Sequence, residues 1–232
     1  MLSEEAEKAY EAVKEKIIHG EYGPGFPLAE IPLSVEYGTK RTRIRQILQR
    51  LERESLVEIF PHRGAFVKPI TGKDLQEIFE MREAIESMAA RLCARRRDDE
   101  SLRQIGVLFE KYRKSSTDGY LKEKIEIGER LHQFIMQNAK NGRIADIMQH
   151  LKLQIMRVWE VGIRIPDRIH SAFREHLEIL SAITERDEAL AERKMKEHIS
   201  NAFRDYIKVT LLDESGTPGN REKQPRARTN SR

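Results

Sequence analysis

From Thr71 to about residue 211 the chain carries helical patterning and nothing else. Apolar side chains recur at three- and four-residue spacing, short polar gaps interrupt them, and no alternating run of the kind that makes a strand returns. Most of the chain can therefore fold only as a helical bundle. The periodicity predicts helices over 73–96, 99–115, 119–140, 143–164, 167–185 and 187–211, with Asp187 as the N-cap of the last.

The first 70 residues read differently. Ala6, Tyr10, Val13 and Ile17 fall on one face of a helix that Gly20 and Pro24-Gly25 bring to an end. A short helix fits between Pro32, tolerated in a first turn, and Gly38, suited to a helix end. A third helix follows in "KRTRIRQILQRLERESLV", where Ile44, Ile47, Leu48 and Leu51 form the apolar face and Thr42, Arg45, Gln46 and Gln49 the opposite one. "VEIFPHRGAFV" then reads as strands Val57–Phe60 and Ala65–Val67 joined by Pro61-His62-Arg63-Gly64. Three helices and a hairpin predict a winged helix-turn-helix. The fold class is mainly α: a winged head over 1–70, an all-helical domain over 71–212, and a disordered basic tail over 213–232.

Charge placement points to the partner. Residues 1–70 carry 11 Lys+Arg against 11 Asp+Glu, yet Tyr37 to Arg50 holds five basic residues and no acidic one. A helix fits the DNA major groove, where arginine or glutamine pairs with base edges, so Arg45, Gln46 and Gln49 are candidate readers. Arg41 and Thr42 lie in the first turn, whose free N–H groups favour phosphate, and Arg63 sits at the hairpin tip. A solvated basic helix is the plainer alternative. No apolar run approaches a membrane span and no leader pattern opens the chain, so a cytosolic protein without a membrane partner is expected. The single cysteine, Cys93, excludes an intrachain disulfide.

In the helical domain, polar residues inside apolar stripes mark candidate sites. Arg82 and Glu86, four apart, either pair with each other or leave Arg82 facing a cavity to bind a carboxylate or phosphate. His132, His176 and His198 lie on the buried faces of three helices; each is a core residue on the plainer reading, and together they suit a divalent transition metal. His170 reads as surface.

The succession "IIHGEYGPGFPL", "KRTRIRQILQRLERESLV", "PHRGAFV" resembles the winged-helix domain of the GntR family of bacterial transcription regulators. Lys40 and Arg43 stand where that family usually has serine and proline, and both add charge. The resemblance carries DNA contacts onto Arg41, Thr42 and Arg45, and onto Arg63 and Gly64 in the wing. Residues 73 to about 210, through "MREAIESMAARLC", "LHQFIMQNAKN" and "REHLEILSAITERDEALAERKMKEHI", resemble the FCD effector domain of the FadR subgroup. That domain implies a divalent metal such as zinc or nickel, held by an aspartate and three histidines, which helps bind a small organic acid. The histidines map to His132, His176 and His198, whereas the aspartate position is Gly128. Glu129, in a Glu-x-x-His arrangement with His132, is the candidate substitute, and Asn201, one turn after His198, is a candidate cavity residue beside Arg82.

The function expected is a homodimeric repressor that binds double-stranded operator DNA under control of a small anionic metabolite. The competing reading is a metal-dependent hydrolase or lyase built on the three histidines.

Overall fold

The computed structural model describes residues 4–113, 121–162 and 166–215. The segment 216–232, most of the expected tail, lies outside the described residues.

Helix α1 (Glu4–Ile18) buries Ala6, Ala9, Tyr10, Val13 and Ile17 along one face. The Tyr10 hydroxyl donates to Glu54 at 2.8 Å, and the Arg50 guanidinium lies 3.6 Å from the Tyr10 ring centre, which ties α1 to the third helix. After strand β1 (Pro27–Leu28) come α2 (Glu30–Glu36) and α3 (Arg41–Arg53). Gly38, at φ +60°, makes the left-handed turn between those two helices, which costs glycine little. Ile44, Ile47, Leu48 and Leu51 of α3 are buried.

Strands β2 (Val57–Phe60) and β3 (Gly64–Val67) form the expected hairpin, with Val57 opposite Val67 and Phe60 opposite Gly64. The sheet order is β1-β3-β2, so β1 adds a third strand that two residues could not announce by alternation. Gly64, at φ +97°, closes the turn that presents Arg63 at the tip of the wing.

The bundle contains α4 (Gly72–Arg96), α5 (Asp99–Arg113), α6 (Leu121–Asn138), α7 (Gly142–Gly162), α8 (Pro166–Thr184) and α9 (Glu188–Ser215). These helices follow the predicted segments, and α9 runs three residues into the stretch read as tail. Thr71 and Asp74 cap α4 reciprocally: Asp74 N–H donates to Thr71 Oγ1 at 3.0 Å, and Thr71 N–H donates to Asp74 Oδ2 at 2.9 Å. Asp187 caps α9 by accepting from Leu190 N–H at 2.9 Å. Helix α4 packs along α9, where Ala89, Ala90, Ala94 and Ala191 are fully buried and allow close approach. Helices α6 and α8 complete the enclosure around the middle of α4.

Candidate functional site

In the head, α3 presents Arg41, Thr42, Arg45, Gln46 and Gln49 to solvent, and Lys40 precedes its first turn in extended conformation. No acidic residue occupies that turn and the N-cap side chain makes no capping bond, so its positive end is open to an anion. Arg43 is half-buried and donates to Gln46 Oε1 at 2.9 Å. Glu30, at the start of α2, is the acidic neighbour: Arg45 donates to it through Nε at 2.7 Å and Nη2 at 3.0 Å, and Arg41 approaches at 3.4 Å. These arginines hold the Glu30 carboxyl below its ordinary pKa, Arg45 most strongly. Glu30 thus fixes the direction of the Arg45 guanidinium through two hydrogen bonds. Arg63 and Gly64 are exposed at the wing tip.

Inside the bundle, α6, α8 and α9 each contribute one imidazole. His132, His176 and His198 bring ligand atoms within 4.8 Å of one another. The His176 Nε2 atom lies 3.3 Å from that of His132 and 3.2 Å from that of His198. Two carboxylates set the tautomers. Glu86 Oε2 accepts from His132 Nδ1 at 2.6 Å, and Glu175 Oε2 accepts from His198 Nδ1 at 2.7 Å. A carboxylate only accepts, so both protons sit on Nδ1 and both Nε2 lone pairs face inward. His176 can donate an Nε2 proton to one of those lone pairs and no more. The centre is therefore electron-rich and suited to a cation, in the arrangement by which outer carboxylates orient metal-ligating histidines.

The surroundings keep these groups in the required forms. Burial, then the neighbouring His198 and His132, holds His176 well below its ordinary pKa; burial, then His132 and Arg168, does the same to His198. Burial alone would raise the Glu86 pKa, but the Arg82 charge and the hydrogen bond from His132 more than offset it and keep Glu86 ionised. Two parallel relays result. In one, Arg82 Nε donates to Glu86 Oε1 at 2.7 Å and Glu86 holds His132. In the other, Arg168 Nη1 donates to Glu175 at 2.8 Å, Asn201 Nδ2 donates to its other oxygen at 2.9 Å, and Glu175 holds His198. Arg168 Nη2 also lies 3.3 Å from His198 Nδ1, but both are donors, and its bond there goes to the His198 carbonyl.

Beside the imidazoles is a cavity of about 90 Å³ lined by Arg82, Lys124, Arg168, His176 and His198, with no carboxylate on its wall among the described residues. Arg82 thus does both things the spacing allowed: it pairs with Glu86 and it faces the cavity. Gly128 is also on the wall, and its lack of a side chain matters. A Cβ there would lie 2.6 Å from His176 Cε1, so the ring occupies the space an aspartate would need. Glu129 does not replace that aspartate: it is exposed, and among the described residues only the three histidines make up the ligand group. One position along a helix turns a side chain by about 100°, so Glu129 leaves the helix in a different direction from the one Gly128 faces. His170, read as surface, is half-buried with Nδ1 at 3.2 Å from Lys124 Nζ.

Sequence reasoning passed over Lys124, Arg168 and Glu175. Lys124 carries a usable signal, since it is charged and precedes Gly128 and His132 by one and two helical turns on the same face. Arg168 and Glu175 carry none, because their roles depend on how α8 meets α9.

A winged helix with a basic third helix, joined to an all-helical bundle, is the architecture of a DNA-binding transcription regulator. Residues 5–67 match the family model described as bacterial regulatory proteins, gntR family, and residues 77–201 match the FCD domain. The chain belongs to the GntR family of regulators that carry an FCD domain. It is 27% identical over 193 residues to the HTH-type transcriptional repressor RspR of Escherichia coli K12, covering 83% of this chain and 85% of that protein. It is 26% identical over 223 residues to the galactonate operon transcriptional repressor of the same strain, covering 84% and 93%. The solved structure of E. coli McbR/YncC shares the fold at a TM-score of 0.70 and 17% identity, covering 90% of this chain and 100% of that one. These relatives are regulators, so the hydrolase or lyase reading is set aside. Among the described residues, no helix is long and apolar enough to cross a membrane.

Proposed function

We propose that this repressor-type regulator releases or binds its operator in response to a small organic acid held beside a divalent metal in the bundle. The observation that carries this reading is the pair of carboxylates, Glu86 and Glu175, that turn two Nε2 lone pairs onto the same point as His176. His132, His176 and His198 would hold the metal, and a nitrogen-rich set of three suits zinc or nickel. When bound, the metal supplies a Lewis-acidic position open to a carboxylate oxygen. The chain's own contribution is charge and shape. Arg82, Arg168 and Lys124 all line the cavity, so an anion entering it meets three cationic side chains. A sugar acid or hydroxy acid fits that charge, and one relative is named for a galactonate operon.

Readout runs through the head. Arg45, Gln46 and Gln49 read bases in the major groove; Lys40, Arg41, Thr42 and Arg43 set the helix start against phosphate; Arg63 and Gly64 approach the backbone or minor groove from the wing. Two copies reading two half-sites is the arrangement that suits a helix-turn-helix head, and Met81 and Met88, exposed on α4, offer apolar surface to a second copy. An acid can shift operator affinity only by binding one arrangement of the heads better than another.

The deciding experiment is metal analysis of the purified, untagged protein beside His198→Ala, followed by operator titrations with and without galactonate. Near-stoichiometric metal in the wild type that is lost in the variant supports the site. Absence of metal in both after reloading sinks it.

A further inference from the structure

A second cavity, of about 410 Å³, opens where the winged head, the linker and the bundle meet. Its walls include Ile17 and Tyr22 from the head, Ile70 and Gly72 around the start of α4, and Arg157 and Ile207 from α7 and α9. It shares a single wall residue, Tyr206, with the imidazole cavity.

Arg157 is the unusual member. It is 9% exposed, and burial pulls its guanidinium below its ordinary pKa while Asp74 acts the other way. Nη2 donates to the Lys68 carbonyl at 2.6 Å, which uses one of five N–H donors. No ion pair forms at Arg157 among the described residues. The nearby Asp74 is committed elsewhere: Oδ2 accepts from Thr71 N–H, and Oδ1 faces Lys68 Nζ at 3.9 Å. A buried cation without a counter-charge is unfavourable, and such a group in a cavity marks a place where an anion is missing.

The start of α4 adds an independent observation. The capping box satisfies Asp74 N–H, whereas the Gly72 and Lys73 N–H groups precede any intrahelical acceptor. A Cβ placed on Gly72 would meet nothing within 4 Å, so the space in front of this helix end is open. The start of α4, with Asp74 in its first turn, and a guanidinium that uses one of its five N–H donors therefore share one cavity whose remaining wall is largely apolar.

We propose that this joint is a second binding site, specific for a small carboxylate with an apolar body, distinct from the imidazole site. The carboxylate lies between Arg157 and the start of α4, and the apolar body lies against Ile17, Ile70 and Ile207. Its occupant touches head, linker and bundle at once and so fixes how the head sits on the bundle. Tyr206, on both walls, couples the joint to the metal-side cavity.

The test uses the full-length protein and benzoate as the probe, titrated by calorimetry into wild type, Arg157→Met and Arg82→Met. The expected result is binding to the wild type that weakens at least about tenfold in Arg157→Met, survives in Arg82→Met, and slows proteolysis of the 68–72 linker. Gly72→Glu supplies a tethered carboxylate at the same place; it should raise the thermal midpoint and abolish benzoate uptake, and it decides the matter alone if Arg157→Met does not fold. No uptake by the wild type, superimposable titrations for wild type and Arg157→Met, uptake lost only in Arg82→Met, or a lowered midpoint in Gly72→Glu would each overturn the proposal. Loss in Arg82→Met alone would return the probe to the imidazole cavity and leave the metal reading intact.

Discussion

Replacing Glu86 by glutamine keeps the shape of the side chain and removes its charge, and two consequences follow from the geometry. Glu86 is 2% exposed, accepts from Arg82 at 2.7 Å and from His132 Nδ1 at 2.6 Å, and Arg82 is itself 3% exposed. A glutamine oxygen can still accept from Arg82, but the guanidinium loses its counter-charge. Breaking a buried pair by removing one partner costs about 3–5 kcal/mol, and the retained hydrogen bond places this variant near about 3 kcal/mol. For a chain of this size that is a fall in thermal midpoint of about 6–12 °C. The second consequence is chemical. If glutamine keeps its oxygen on Arg82, its amide faces His132 Nδ1, which must then accept, so the ring proton moves to Nε2 and points into the cluster. Metal affinity should fall about 10- to 100-fold, as it does when an outer partner of a ligating histidine is lost. Thermal unfolding and competition with a chromogenic chelator measure the two effects, with the exposed Glu80→Gln as a control expected to move neither. A Glu86→Gln protein with unchanged midpoint and unchanged metal affinity would refute the relay.

Gly128→Ala places a methyl group 2.6 Å from His176 Cε1 and should cost about 1–3 kcal/mol by overpacking while displacing the ring, read as a lower midpoint and reduced metal content. Arg45→Ala should weaken operator binding about 10- to 100-fold in fixed salt and relax sequence choice, measured by anisotropy against operator and scrambled duplexes. Thr71→Ala removes the cap of α4 and should cost about 1 kcal/mol at neutral pH. Thr71 holds the Asp74 carboxyl below its ordinary pKa, so the stability this contributes is present above the carboxylate range and lost as pH falls through the folded value. Denaturant melts should therefore show a smaller Thr71→Ala deficit at low pH than at neutral pH.

The helices were readable because each buries one face, and burial enforces the period. Even the cap Asp187 acts locally, within three residues of its partner. Strand β1 escaped notice because Pro27-Leu28 owes its conformation to β3 and not to any pattern of its own. The three histidines were visible as polar residues in apolar stripes, and Arg82 with Glu86 as a pair four apart. Glu30 on Arg45 and Glu175 on His198 were not, since they join residues 15 and 23 positions apart on different helices. Glu129 misled for a related reason: proximity to His132 in sequence is no measure of which way a side chain leaves the helix.

Helix α4 begins at the joint between head and bundle with a capped first turn, and 14 residues later it carries Glu86 into the imidazole cluster. At 1.5 Å per residue these points are about 21 Å apart, and a helix of this length moves as a lever. A tilt of about 5° pivoting at Glu86 would swing the start of the helix sideways by about 2 Å, as large as the helix shifts that separate states in many switching proteins. Rearrangement too small to notice around one carboxylate is thereby magnified into a displacement that a DNA-reading head must follow.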